Sequence, residues 1–172
     1  MTVLIGIDPG SRITGWGVIR MNRRDPEHLA HGCIEIGDLA FADRLCAIFD
    51  QLSALVTTWQ PSEAAIEKVF MNRNVDSALK LGQARGAALV ALARGGLAVH
   101  EYSPNEIKLA VVGRGHAEKA QIQHMVKTLL KLPEKPRADA ADALAIALCH
   151  GQTRQGLAAV GAATRVRAGR YL

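Results

Sequence analysis

The sequence predicts an α/β fold: a five-stranded mixed sheet, three antiparallel strands followed by two parallel ones, flanked by helices. Three observations predict it. Short apolar runs at 3–7, 16–19 and 33–36 follow one another too closely for helical crossovers, so they read as an antiparallel meander. Two later runs, 64–70 and 97–102, each follow a segment of helical periodicity, the pattern of parallel crossover strands. No internal repeat suggests a solenoid or a duplicated domain.

The first strand, 3–7, is closed by Asp8-Pro9-Gly10-Ser11, a turn signal. The second and third are separated by a polar loop through 22–28. An amphipathic helix over 42–59 follows, with Leu45, Ile48, Phe49, Leu52, Leu55, Val56 and Trp59 on one stripe, and Pro61 stops it. After the fourth strand, a helix rich in small residues spans 76–94 and ends at Gly95-Gly96. The fifth strand leads into Ser103-Pro104-Asn105-Glu106, a capping box with proline at the first helical position. Gly113-Arg114-Gly115-His116 breaks that helix. The next places Ile122, Met125, Val126, Leu129 and Leu130 on one face. A proline-bearing loop over 132–137 precedes a final alanine-rich helix at 138–149. Residues 1–151 read as one domain and 152–172, which lack clear periodicity, as a basic, flexible tail.

Composition narrows the function. With 49% hydrophobic and 22% charged residues the chain is an ordinary globular one, and 172 residues suffice for a core without metal or disulfide staples. The net charge of +5 is unevenly placed. Residues 1–100 carry 10 Lys+Arg and 10 Asp+Glu, whereas 101–172 carry 11 and 6. The excess in the second part suggests a polyanion-binding side, against the alternative of a solvated basic face. No apolar run is long enough to span a membrane and the N-terminus does not resemble a signal peptide, so a cytoplasmic protein without membrane attachment is expected. Cys33, Cys46 and Cys149 are odd in number and far apart, which fits a reducing compartment.

Four acids stand out. Asp8 ends the first strand; taken alone it reads first as a turn former. Glu67 lies in an apolar crossover strand that should be covered on both faces, where an unpaired carboxylate costs several kcal/mol and needs a cation or a proton. A lysine salt bridge is the plain alternative, although Lys68 points to the opposite face. Asp139 and Asp142 are three apart on one face of an apolar helix. Asp139 suits the positive helix N-terminus; that explains Asp142 less well. Oxygen ligands without His or Cys favour a hard cation, Mg²⁺ or Mn²⁺, and clustered carboxylates holding two ions suit in-line phosphoryl displacement.

Gly6-Ile7-Asp8-Pro9-Gly10-Ser11 with Thr14-Gly15, Ala65-Ile66-Glu67-Lys68-Val69-Phe70, the run Asp76-Ser77-Ala78-Leu79-Lys80-Leu81-Gly82-Gln83-Ala84-Arg85-Gly86, and Ala138-Asp139-Ala140-Ala141-Asp142-Ala143 together resemble the RuvC family, the bacterial Holliday junction resolvases or crossover junction endodeoxyribonucleases. The resemblance spans about residues 3–150. It implies an RNase H-like fold and a homodimer. It also implies symmetric nicking of four-way DNA junctions in recombination and repair, within short T-rich sequences and beside the RuvA–RuvB branch-migration complex. It further implies that Asp8, Glu67, Asp139 and Asp142 are catalytic and hold two Mg²⁺ per subunit, Mn²⁺ being a substitute. Phe70 matches an aromatic that engages the opened junction; Lys108 and Lys119 match basic residues concerned with DNA and activity.

Read from composition alone, Phe70 in a polar loop is core or a base-stacking platform. The seven Lys+Arg between 108 and 137, against two acids, are enough for a phosphate-contacting side. Arg73, Lys80, Arg85 and Arg114 join Phe70, Lys108 and Lys119 as expected DNA contacts. Gly82 and Gly86, four apart, either pack on their own sheet or face a dimer partner. Three rivals are weighed. A sugar-kinase-like ATPase would need a second domain and a second phosphate loop. A non-catalytic junction-binding module would gain nothing from four acids. An RNase H-like nuclease for another nucleic acid shares the fold and acids but not the motifs.

Overall fold

A computed structural model of the chain describes residues 1–22, 25–68, 74–115 and 117–168, and the side chains of these up to 157. Five strands and five helices occur among them: β1 (Thr2–Asp8), β2 (Ile13–Met21), β3 (Pro26–Glu35), α1 (Phe41–Trp59), β4 (Glu63–Glu67), α2 (Val75–Arg94), β5 (Ala98–Tyr102), α3 (Pro104–Val112), α4 (Lys119–Leu129) and α5 (Ala138–Ala168). The sheet order is β3-β2-β1-β4-β5. β1–β2 and β2–β3 pair antiparallel, β1–β4 and β4–β5 parallel, as the sequence predicts.

β1 is central because it is apolar on both faces. Leu4 turns to one side with Ile19, Leu144 and Leu148, under α3, α4 and α5. Ile5 and Ile7 turn to the other, with Ile48, Leu52 and Leu92 of α1 and α2. The helices thus form a layer on each face. α1 ends where Gln60 adopts a left-handed conformation, φ 45°, its N–H donating to the Val56 carbonyl, one residue before Pro61. α3 carries the expected capping box: Ser103 accepts from the Glu106 N–H while Glu106 accepts from the Ser103 N–H.

Two boundaries differ from the sequence reading. The loop expected at 22–28 is strand from Pro26 onward. β3 is an edge strand with one partner, so it tolerates proline and charge, and Glu27 pairs with Arg20 of β2 at 2.9 Å. The last helix does not stop at Cys149 but continues to Ala168. Its continuation is anchored: Arg154 donates to the Thr2 hydroxyl at 2.7 Å and Gln155 to the Asn22 carbonyl at 3.0 Å. Alanine, glutamine and arginine sustain a helix without the apolar stripe on which periodicity depends.

Candidate active site

Each of the four acids is brought to the site by a local rule. Asp8 is the last residue of β1. Beyond it the loop folds back on buried Thr14, whose hydroxyl donates to the Gly10 carbonyl and accepts from the Gly10 N–H. Glu67 is the last residue of β4, at the same edge of the sheet, so it ends the strand rather than lying within it. Arg85 of α2 braces it: Nε donates to the Glu67 carbonyl at 3.2 Å while the guanidinium pairs with Glu101 at 2.8 Å. Asp139 and Asp142 lie in the first turns of α5, where the helix dipole favours negative charge. An Arg137–Glu35 ion pair ties the start of that helix to the end of β3.

The helix reaches the acids because glycines beneath it carry no side chain. A Cβ on Gly6 would stand 2.2 Å from the Ala143 carbonyl oxygen, and one on Gly15 2.0 Å from that of Asp139. Glycine at these two points lets α5 lie directly on β1 and β2, bringing Asp139 and Asp142 toward Asp8. The sequence signal was present, since Gly15 and Gly17 alternate on one face of β2, but only the docked helix gives it meaning.

Asp8, Glu67 and Asp142 line a cleft of roughly 500 Å³ with Lys108, Lys119, Glu118 and the apolar walls of Ile107 and Ile122. Asp139 is not in the lining, but its charge reaches Asp8 and Asp142. Among the described residues, cations do not balance these acids: Lys119 Nζ stands 3.9 Å from Asp142 Oδ2 on a largely exposed side chain. Burial, then the charges of Asp142, Glu67 and Asp139, push the Asp8 carboxyl up to about 8, against a partial opposing effect of Lys119. Glu67 is raised by burial and by Asp142. Asp142 is raised by burial, with Lys119 opposing and Asp139 adding to it. Among the described residues, no three of these four acids bring ligand oxygens all within 4.8 Å of one another.

The expected DNA contacts separate into groups. Lys108 and Lys119 share the cleft with the acids. Arg114 is exposed just after α3. Lys80 is exposed on α2 and paired with Asp76 at 2.6 Å. Arg85 is taken up by Glu67 and Glu101, so its first task is positioning, a role that sequence reasoning missed. Phe70 and Arg73 lie outside the described residues. Gly82 and Gly86 do not pack on their own sheet: a Cβ on either would meet nothing within 4 Å.

A mixed sheet in this order, helices on both faces and acids gathered at the ends of β1 and β4 under the start of α5, define an RNase H-like fold of the nuclease type. The model of the family described as crossover junction endodeoxyribonuclease RuvC matches residues 4–150, and the chain belongs to the RuvC family. Its relatives include proteins named crossover junction endodeoxyribonuclease RuvC. That from Shewanella amazonensis is 56% identical over 172 residues, 99% of each chain, and that from Vibrio cholerae 55% identical over 172 residues, 99% of each. The structure of Thermus thermophilus RuvC in complex with Holliday junction substrate is 34% identical, with a TM-score of 0.85 over 90% of this chain and 96% of that one. The yeast mitochondrial Holliday junction resolvase Ydc2 shares the fold at 14% identity and a TM-score of 0.63, over 89% of this chain and 80% of that one.

Proposed function

We propose that this protein is a structure-selective endonuclease that resolves four-way DNA junctions by Mg²⁺-dependent hydrolysis of phosphodiester bonds in two opposed strands, in recombination and repair. One observation carries the reading beyond the family name. Among the described residues, carboxylates outnumber cations in a cleft whose rim bears Lys108 and Lys119. A polyanion is attracted to the rim, while the centre repels it until divalent cations are present. Asp8, Glu67, Asp139 and Asp142 would hold these ions, all hard oxygen donors. Two Mg²⁺ ions held there would supply charge neutralisation for phosphodiester hydrolysis.

The chain's own groups do the rest. Asp8, with a carboxyl pushed up to about 8, keeps its proton at neutral pH until cation charge replaces it. Lys119 and Lys108 already lower Glu67 and Asp142 against burial, and both stand where a phosphate would be drawn in. Arg85 fixes the backbone beneath Glu67. Phe70 and Arg73, beyond Glu67, are proposed to engage the opened junction, with Lys80 and Arg114 as outlying phosphate contacts.

Symmetric cutting requires two such sites, and α2 supports a two-fold partner. Val75, Leu79 and Val90 are 80%, 59% and 52% exposed and share a stripe with Gly82 and Gly86. No described helix is long and apolar enough to cross a membrane; a cytoplasmic setting, and cooperation with RuvA–RuvB, rest on the family resemblance. Residues 152–172 are proposed to form a basic extension to the nuclease domain.

The test gives the purified protein a four-way junction, a plain duplex and an RNA–DNA hybrid, with and without Mg²⁺. Paired symmetric nicks on the junction alone, only with Mg²⁺, are expected. Equal cutting of plain duplex would overturn the resolvase reading.

A further inference from the structure

At the other end of β4, roughly 13 Å along the strand from Glu67, a second cluster stands apart from the acids. Glu63 begins β4, His100 lies in β5 and His150 in α5. Glu63 divides its carboxylate. Oε1 accepts from Arg154 Nε at 2.9 Å. Oε2 faces the Nε2 atoms of His150 at 2.9 Å and His100 at 3.4 Å. The two imidazoles lie face to face with centroids 4.3 Å apart. On its far side, His150 Nδ1 stands 2.8 Å from the Tyr102 hydroxyl.

We propose that Glu63, His100 and His150 form a binding site for a borderline transition-metal cation, typified by Zn²⁺, separate from the carboxylate site. Among the described residues this is the one group of three whose ligand atoms all lie within 4.8 Å of one another. The donor set, two imidazoles and a carboxylate, is one that Zn²⁺ takes, and it differs in kind from the all-oxygen set at the strand ends. With Zn–ligand bonds of 2.0–2.1 Å, a tetrahedral edge is roughly 3.3 Å. The 2.9 Å and 3.4 Å separations fall on either side of that edge, and 3.4 Å is long for a hydrogen bond.

Two surroundings support a built site. With an ion bound, the Tyr102 hydroxyl can accept from His150 Nδ1–H, which turns the Nε2 lone pair to the ion and fixes the ring; without it, Nε2–H donates to Glu63. Arg154 engages Oε1 and leaves Oε2 to the imidazoles. Access is also provided: the His150 side chain is 3% exposed but that of His100 is 44% exposed, so an ion enters from the strand edge. Bound there, it would link β4, β5 and the anchored part of α5, and would stabilise the fold by mass action. The His28–His31 pair on β3, 2.7 Å apart, offers two imidazoles and is the natural control.

Full-length protein stripped of metal is titrated with Zn²⁺ alone by calorimetry, and with Co²⁺ followed by visible absorption. About one equivalent of Zn²⁺ should bind below about 100 µM, and Co²⁺ should give the intense visible bands of tetrahedral nitrogen and oxygen ligation. His100→Ala, at a half-exposed strand position, should weaken Zn²⁺ at least about tenfold with an unchanged circular dichroism spectrum, and Glu63→Gln should do the same. Asp8→Asn and His28→Ala should leave Zn²⁺ affinity within about twofold of the parent. The proposal is overturned if no Zn²⁺ binds in that range, if His100→Ala binds as the parent does, or if Asp8→Asn or His28→Ala removes the binding.

Discussion

The two ends of β4 carry one glutamate each, and α5 crosses both. At the start of the strand, the Glu63 carboxylate pairs with Arg154 on one oxygen and with the His150 ring on the other. At the end, Glu67 stands with Asp8, Asp139 and Asp142, and among the described residues the positive charges that act on its carboxyl are those of Lys119 and Lys108. The fold could have balanced both ends, since it does so at one. Among the described residues, the acids at the other end raise one another's pKa, a repulsion that a bound cation would relieve. Paired and mutually repelling carboxylates are thus separated along a single strand.

The sharpest way to break this comparison is Asp8→Asn. At the proposed nuclease site it should reduce nicking by about 10²–10³-fold or more while junction binding persists, as read in cleavage and mobility-shift assays. It should also stabilise the metal-free protein, which an ordinary loss of a binding residue would not predict. The sign follows from the Asp8 carboxyl, raised from 3.8 to about 8. Below pH 3.8 folded and unfolded chains both hold the proton, and the stabilising contribution is fully present. As pH rises toward and through 8 the unfolded chain has already released its proton, and that contribution is lost. Metal-free parent should therefore melt at lower temperature as pH rises from 4 to 8. Asp8→Asn should flatten the profile, with a gain of about 1–3 kcal/mol at pH 8, and Mg²⁺ should raise the parent more than the variant. A parent profile that does not fall with pH would show that the acids are already compensated.

Gly15→Ala tests how the unbalanced end is assembled. The added Cβ would meet the Asp139 carbonyl oxygen at 2.0 Å, main chain that cannot rotate away. The start of α5 must lift, carrying Asp139 and Asp142 with it. A displacement of about 1 Å should cost about 10²-fold in nicking, with about 1–3 kcal/mol of stability. Unchanged cleavage would mean that the acids tolerate a looser frame than the close packing suggests.

The two ends differ equally in how far the sequence displays them. Glu67 is legible because a carboxylate amid Ile, Ala and Val is costly, and cost marks a position whatever its partners are, whereas Asp8 alone reads as a turn former and stands out only with the other acids. The sheet order is legible for a similar reason: 3.6-residue and two-residue periods survive in a single chain. Glu63, His100 and His150 carry no such mark, since each is unremarkable in its own segment and they meet only when three elements pack. Arg85 likewise reads as a free cation until Glu101 and the Glu67 carbonyl are beside it. The extension of α5 escapes because a helix without an apolar stripe leaves no period to detect.

Glu63→Gln makes the complementary test at the balanced end, with the smallest expected effect. The amide keeps one oxygen for Arg154 or His150 but cannot serve both with charge. The buried His150 ring and the Arg154 guanidinium are left short of an acceptor, worth about 1–3 kcal/mol of lost stability. Denaturant melts of metal-free Glu63→Gln and Asp8→Asn at pH 8 should thus move in opposite directions from the parent, although each variant removes one carboxylate from the same sheet. Movement of both in the destabilising direction would erase the distinction between the two ends. It would mean that Asp8 is held by partners as fully as Glu63 is, leaving no stored repulsion for a cation to relieve.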